Sequence, residues 1–384
     1  MNWDDIIVDA AATDTGMRRA NNQDSYKIVR ASRPETWRQR GHVFVVADGM
    51  GAHAVGEMAS KLACDNIPHN YVKAKSCTPT EAITKAYKEV ASLINGKATA
   101  NKEFEGMGTT TSTLILLPEG ALIAHVGDSR IYRVRNGRID QLTFDHSLAW
   151  ELVKRNHLTK EQALKAVPRN VITRSLGPDP NVEVDIEGPY PLEPGDVFLL
   201  CSDGLSGPIE DHELGAFAAN FHPKDACRYL LQLANLRGGH DNITVLIARI
   251  GPWSEPESEE QVPEVAVAHV ENGRRGGWMK GIASGLLGNK RRAGSASAVE
   301  EHLYRSEECP INEELVDRLA EQVRVTQQAA IEQTWPVEWT RLAGLRRRAE
   351  KLRNEGKLRE ALKELGESIE LLGLAGRTHR KAAG

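Results

Sequence analysis

The sequence predicts an α+β domain of packed antiparallel sheets with helices on their outer faces, followed by a C-terminal helical extension. Three observations predict it. The strand-like runs are continuous and apolar, as strands buried on both faces or packed sheet against sheet must be. Neighbouring runs are joined by connections of hairpin length, which favours antiparallel pairing over βαβ units. Stretches with helical spacing lie beside these runs and need a face to cover.

In chain order, VFVVAD at 43–48 reads as the first buried strand. Glu57 to Val72 and Pro79 to Asn95 carry apolar residues at helical spacing, and Pro79, Thr80 and Glu81 make a helix start for the second. STLILL at 112–117 and ALIAHVG at 121–127 form a hairpin across Pro118, Glu119 and Gly120. DVFLLCSD at 196–203 and NITVLIARI at 242–250 complete the strands. Between them, Ser147 to Gly177 is partly helical and interrupts the strand pattern.

The composition changes after residue 252. WSEPESEEQVPE and the Gly, Ser, Lys and Arg-rich stretch that follows cannot bury enough apolar area to offset chain ordering, so 253–299 is expected to be a flexible linker. Its basic part, with Trp278, Ile282, Leu286 and Leu287, reads either as a solvated linker or as a patch for an acidic membrane surface. The domain assignment is therefore 1–252, linker 253–299, and a helical region over 300–384. Helical periodicity resumes near Asn312, breaks at Pro336 and runs to about Leu374. Its last part is similar to one tetratricopeptide-like hairpin turning at Gly356, expected to dock on itself or on a protein partner.

With 384 residues and a formal net charge of −4, the chain has no electrostatic push toward nucleic acid. Its five cysteines form no CxxC pair, which argues against a zinc site or a disulfide framework and fits a reducing cytoplasm. The acidic start MNWDDIIVDA lacks the pattern of a secretory signal, and no run is long enough to span a bilayer.

The chemistry is concentrated in aspartates at strand ends: Asp48 before Gly49, Asp128 in GDSR, Asp203 before Gly204, Asp241 before Asn242, and Asp24 closing RRANNQD. A strand fixes such a carboxylate, and an adjacent glycine lets the backbone carbonyl face a hard cation. Asp-Gly is also a common hairpin turn, and each instance alone reads that way. Several strand-terminal aspartates in one domain read as a cluster for Mg²⁺ or Mn²⁺.

The ordered set RRANNQD, VVADGMGAHAVGE, GTTTS, HVGDSRIYR, DHS, RSLG, CSDGLSG and GGHDNITV, over about residues 8–250, resembles the bacterial branch of the PPM (PP2C-type) metal-dependent protein phosphatases. That resemblance implies a β-sandwich of two antiparallel sheets flanked by helix pairs. It implies hydrolysis of phosphoserine and phosphothreonine by a metal-bridged water. It also implies two Mn²⁺ or Mg²⁺ ions with a third, weaker one. Carried onto this sequence, Asp48 matches the aspartate bridging two metals and the Gly49 carbonyl a ligand of the second. Asp203 and Asp241 match the other carboxylates of the first metal, and Asp128 the residue helping to hold the third. Arg19, five residues before Asp24, matches the phosphate-binding arginine, with Arg18 as the adjacent competitor. Asp24 resembles a carboxylate holding metal-bound waters, and Asn242 is expected to buttress Asp241.

Two positions depart from the wider family. Gln23 stands where many members have glutamate, and Met50 where eukaryotic members have a histidine. His53 reads as a loop residue, His146 as structural, and Cys201 as a packed strand residue, not a nucleophile. Ser147 to Gly177 matches the flap beside the active site of bacterial members, as a substrate selector or as packing. Substrates would be phosphoproteins, products of a serine/threonine kinase. The rival readings are a regulatory pseudophosphatase and a scaffold acting through its C-terminal helices.

Overall fold

Alternation along the strands builds the molecule outward from a central seam. In the computed structural model, which describes residues 7–51, 54–154, 162, 171–251, 253 and 304–383, twelve strands pair antiparallel in two sheets. One sheet has the order β1-β11-β10-β7-β8-β12: Ile7–Asp14, Ile243–Ile250, Val197–Cys201, Arg130–Arg135, Arg138–Gln141 and Arg305–Glu308. The other runs β2-β3-β5-β6-β9: Asp24–Val29, His42–Met50, Thr111–Leu117, Gly120–Val126 and Asp185–Tyr190, with the short β4 (Gly108–Thr109) on the end of β3.

Because successive side chains point to opposite faces, each core strand serves two cores. Phe44 and Val46 of β3, Phe198 and Leu200 of β10, and Leu246 and Ala248 of β11 meet Leu114, Leu116 and Ile123 in the seam between the sheets. Val43, Val45 and Ala47 face the other way, onto α2 (Val55–Lys73) and α3 (Pro79–Ala100). Leu199, Cys201, Val245 and Ile247 face α6 (Asp211–Asn220) and α7 (Pro223–Leu236). This two-sided burial is why the sequence shows unbroken apolar runs. Helix α3 starts at Pro79, as expected, behind a capping box between Thr78 and Glu81. The expected hairpin is present, closed by Leu117 opposite Gly120, whose φ of +150° suits glycine. Short helices α1 (Pro34–Arg40), α4 (Leu148–Lys154) and α5 (Asp203–Ser206) complete this part.

The C-terminal helices are α8 (Glu313–Glu332), α9 (Trp339–Asn354) and α10 (Leu358–Ala383). Asn312 caps α8 by accepting from the Leu315 amide at 2.9 Å, and Gly356, at φ +75°, turns α9 into α10. The hairpin docks on the chain's own domain. Residues 301–384 belong to one compact unit with 1–255. Leu362, Leu365, Ile369 and Leu372 of α10 share a core with Tyr229 and Leu230 of α7. Gly366 and Gly373 permit that approach, because a Cβ would meet the Tyr229 ring at 2.7 Å and crowd Gln232. Arg228 closes the contact with a fork onto Glu370, at 2.8 and 2.6 Å.

Ahead of α8, β12 adds a strand to the edge of β8. The pattern RSEE gives no apolar alternation, so this strand escapes sequence reading. The linker and its basic patch, apart from Trp253, lie outside the described residues, as do His53 and, within the segment from Ser147 to Gly177, residues 155–161 and 163–170.

Candidate active site

The sandwich gathers the candidate aspartates at one end of its strands. Asp24 begins β2 directly opposite Asp48 on β3. Asp128 lies in the turn from β6 to β7, Asp203 starts α5 just after β10, and Asp241 sits two residues before β11. The family-motif threonines, to which the sequence reading gives no role, fix the Asp48 backbone. The Asp48 carbonyl accepts from Thr110 N at 2.9 Å and Thr109 Oγ1 at 2.8 Å, and Asp48 N donates to Thr110 Oγ1 at 3.1 Å.

Gly49 is required here by space. A Cβ would stand 2.6 Å from the Gln23 carbonyl oxygen and closer still to the backbone of Gly56, at the start of α2. Gly49 N donates to that Gln23 carbonyl at 3.1 Å, which ties the Arg19–Asp24 loop to the strand end.

Charge and burial define the cluster. Asp24 is 6% exposed, and burial pushes its carboxyl up to about 7 against hydrogen bonds from Ser202 and Thr244. Burial and then the charges of Asp203 and Asp145 push Asp128 to about 8, with Arg130 opposing. Asp203 rises to about 6, through burial and then Asp241, against a hydrogen bond with Asp48. Asp48 is half-buried, and desolvation comes first in holding it well above the carboxylate range, followed by Asp24, Asp203, Asp128 and Asp241.

Asp24 Oδ1, Asp128 Oδ1 and Asp203 Oδ1 are buried with no hydrogen-bond partner. Three orphaned carboxylate oxygens within an all-oxygen donor set suit a hard divalent cation. Among the described residues, no three His, Cys, Asp or Glu side chains converge closely enough to enclose one ion. The electrostatics carry more weight, because carboxylate rotations alter convergence while the mutual repulsion is fixed by the strand ends. One carboxylate is also engaged elsewhere: Arg19 Nη2 donates to Asp241 Oδ2 at 2.7 Å, with side chains 48% and 25% exposed.

Arg19, not Arg18, is thus the arginine directed at the cluster. Asn242 buttresses Asp241 through its backbone, and its buried side chain has a further task. Its Oδ1 accepts from Gln23 N at 2.8 Å, and its Nδ2 donates to the Thr15 and Asn21 carbonyls, both at 2.9 Å. It staples the loop carrying Arg19 and Asp24, while Asp241 Oδ1 is held by the Asn242 backbone N–H at 2.8 Å. Ser202, unassigned from sequence, donates its Oγ hydrogen to Asp24 Oδ2 at 2.7 Å; its place next to Asp203 in CSDGLSG is the available signal.

His146 is structural. It is buried, its Nδ1 accepts from Gly127 N at 3.0 Å, and its Nε2 meets Asp185 Oδ2 at 2.9 Å, which holds the turn bearing Asp128. Cys201 is buried, and desolvation pushes its thiol up to about 12, far from a thiolate nucleophile. From Arg19, Asp203 and Asp241 a groove of about 850 Å³ extends past Trp150 of α4 to Arg305 and Glu307 of β12. One wall is braced by a fork from Arg130 onto Asp145 and by Arg305 on Asp211 at 2.8 Å. The arrangement can bind a phosphoryl group at the aspartate end and an extended chain along the groove.

Residues 17–235 match the family model for protein phosphatase 2C. Protein phosphatase PhpP of Streptococcus pneumoniae is 36% identical over 240 residues, covering 61% of this chain and 94% of its own length. The crystal structure of the Mycobacterium tuberculosis serine/threonine phosphatase PstP/Ppp superposes with a TM-score of 0.57 at 31% identity, over 64% of this chain and 99% of that one. The catalytic domain of PstP in complex with two manganese ions gives a TM-score of 0.54 at 31% identity, over 64% and 98%.

Proposed function

The chain belongs to the protein phosphatase 2C family, a metal-dependent serine/threonine protein phosphatase, and on that premise we propose which of its residues carry the reaction. Its substrates are phosphorylated proteins and its cofactor is Mn²⁺ or Mg²⁺. Asp48, the Gly49 carbonyl, Asp203 and Asp241 hold the metal pair, and Asp128 serves a third ion. The observation that carries this assignment is the gathering of strand-end carboxylates, with Asp48, Asp128 and Asp203 held above the carboxylate range and orphaned oxygens on Asp24, Asp128 and Asp203.

When bound, the divalent ions supply Lewis acidity, which acidifies a water and offsets phosphoryl charge. The protein's own groups do the rest. Thr109, Thr110 and the packing of Gly49 keep the strand end rigid, so that the donors are set before substrate arrives. Arg19 turns from Asp241 to the phosphoryl oxygens, where its planar fork suits a two-point contact. Asp24, anchored by Ser202, presents its free Oδ1 as an acceptor for water facing the cluster. No side-chain nucleophile is required, in keeping with the buried Cys201.

The finer assignments follow from the same reading. The phosphoproteins are products of a serine/threonine kinase, and the enzyme works in the cytoplasm. Five free cysteines support a reducing compartment, and no helix among the described residues is long and apolar enough to cross a membrane. Trp150 in the groove supports a substrate-selecting role for the segment after Ser147.

The test is phosphatase assay of the full chain on a phosphopeptide with Mn²⁺, Mg²⁺ or chelator, beside Asp48→Asn. Turnover should need metal and fall by at least about 100-fold in Asp48→Asn. Metal-independent turnover, or full activity in the variant, would overturn the assignment.

A further inference from the structure

We infer that the C-terminal helix α10 sets the position of Arg19 through Arg377 and Arg380, making both positioning residues for phosphate capture. The inference rests on the reading of Arg19 as the phosphate-binding arginine. Helix α10 lies beyond residues 17–235, the part of the chain that the family model matches.

Arg19 sits on a tight loop whose shape is held at a few backbone atoms. Gly16 turns it at φ +77°, and its amide donates to Asp14 Oδ1 at 2.8 Å. Met17 N and Arg18 N both donate to the Gly239 carbonyl, at 2.7 and 3.1 Å. The last turns of α10 grip the same loop from outside. Arg380 Nη1 donates to the Gly16 carbonyl at 3.1 Å, and its Nη2 reaches the carbonyl of Arg19 itself at 3.5 Å. One turn earlier, Arg377 forms an ion pair with Asp14, the buried carboxylate that also holds Gly16.

These contacts bracket the turn on both sides of Met17. Met17 of the loop and Gly373 and Gly376 of the helix also line one cavity of about 220 Å³. Helix α10 is itself fixed to the domain by the Arg228–Glu370 fork and by buried Ile369 and Leu372. The loop is thus referenced to a rigid body at two points. The guanidinium of Arg19 is exposed and is held by Asp241, so its reach depends on where its backbone is held.

The test uses the full chain with saturating Mn²⁺, the KM for an aryl phosphate, and inorganic phosphate as competitive inhibitor. Melting temperatures are recorded for each variant. Arg377→Ala with Arg380→Ala should raise the phosphate inhibition constant and KM by about fivefold or more, with kcat less affected. Arg380→Lys, which keeps a donor for the two carbonyls at an exposed position, should recover most of the loss. In an Arg19→Ala background the same pair of substitutions should add less than about twofold, since residues acting as one unit are non-additive. An unchanged inhibition constant, or an undiminished effect without Arg19, would overturn the inference. If Arg19→Ala alone left both KM and the inhibition constant unchanged, the phosphate reading of Arg19 would be the part at fault, and the clamp would fall with it.

Discussion

Replacing Asp24 with asparagine is expected to stabilise the chelator-treated protein at pH 8 while weakening its metal-supported activity. Burial holds the carboxyl at about 7 in the fold, against 3.8 in an open chain. A folded value above the unfolded one means that the protonated form favours folding. The cost of ionisation is absent below about pH 4, grows between the two values, and is complete above about pH 7. Each tenfold in proton affinity is worth about 1.4 kcal/mol, so the cost is on the order of 4 kcal/mol at pH 8 and roughly 2 at pH 5. Asparagine carries no charge, and its amide oxygen can still accept from Ser202 Oγ, now at 2.7 Å from Asp24 Oδ2. Part of the gain is lost to rearrangement, which leaves on the order of 3 kcal/mol at pH 8. At about 2 °C per kcal/mol for a chain of this size, the melting temperature should rise by about 6 °C. Calorimetry in EDTA at pH 8 and pH 5 reads this directly, with the larger gain at pH 8. Added Mn²⁺ should stabilise the wild type more than the variant, because ligand binding to the fold adds RT ln(1 + [L]/Kd). A lower melting temperature in EDTA at pH 8, or a gain equal at both pH values, would refute the charge-crowding argument.

Gly49→Ala should cost about 3 kcal/mol and abolish most turnover, since the added methyl meets backbone on two sides, at Gln23 and Gly56, and neither can retreat without moving a strand end. Denaturant titration with a parallel Mn²⁺-dependent assay checks both parts. Asn242→Ala should cost about 3 kcal/mol, roughly 1 for each of the three hydrogen bonds its side chain makes to the Thr15–Gln23 loop. Its KM should rise because Arg19 and Asp24 ride on that loop; unaltered KM with reduced stability would separate the staple from the chemistry.

How much of this was legible in the sequence depends on whether the determinant is local. The run VFVVA announces a strand with two buried faces, and the structure sends Val43, Val45 and Ala47 to the helices and Phe44 and Val46 to the seam. The aspartates are legible for the same reason: each lies within two residues of the end or start of an element, so its chemistry and position are written within a few residues. Strand β12 is not legible, because RSEE has no apolar alternation and becomes a strand only through the backbone edge that β8 offers. The task of Asn242 is equally hidden. Its neighbour in sequence is Asp241, yet its side chain serves carbonyls and an amide more than two hundred residues earlier. Arg377 and Arg380 are the extreme case. In the sequence both lie past the helical periodicity, which runs to about Leu374, and Arg380 is a basic last-turn residue that favours the helix dipole. Only the packing of Gly366 and Gly373 against α7, which lets the helix lie close enough to the domain, brings those two guanidinium groups to Asp14 and Gly16 and gives them a part in holding the loop that carries Arg19.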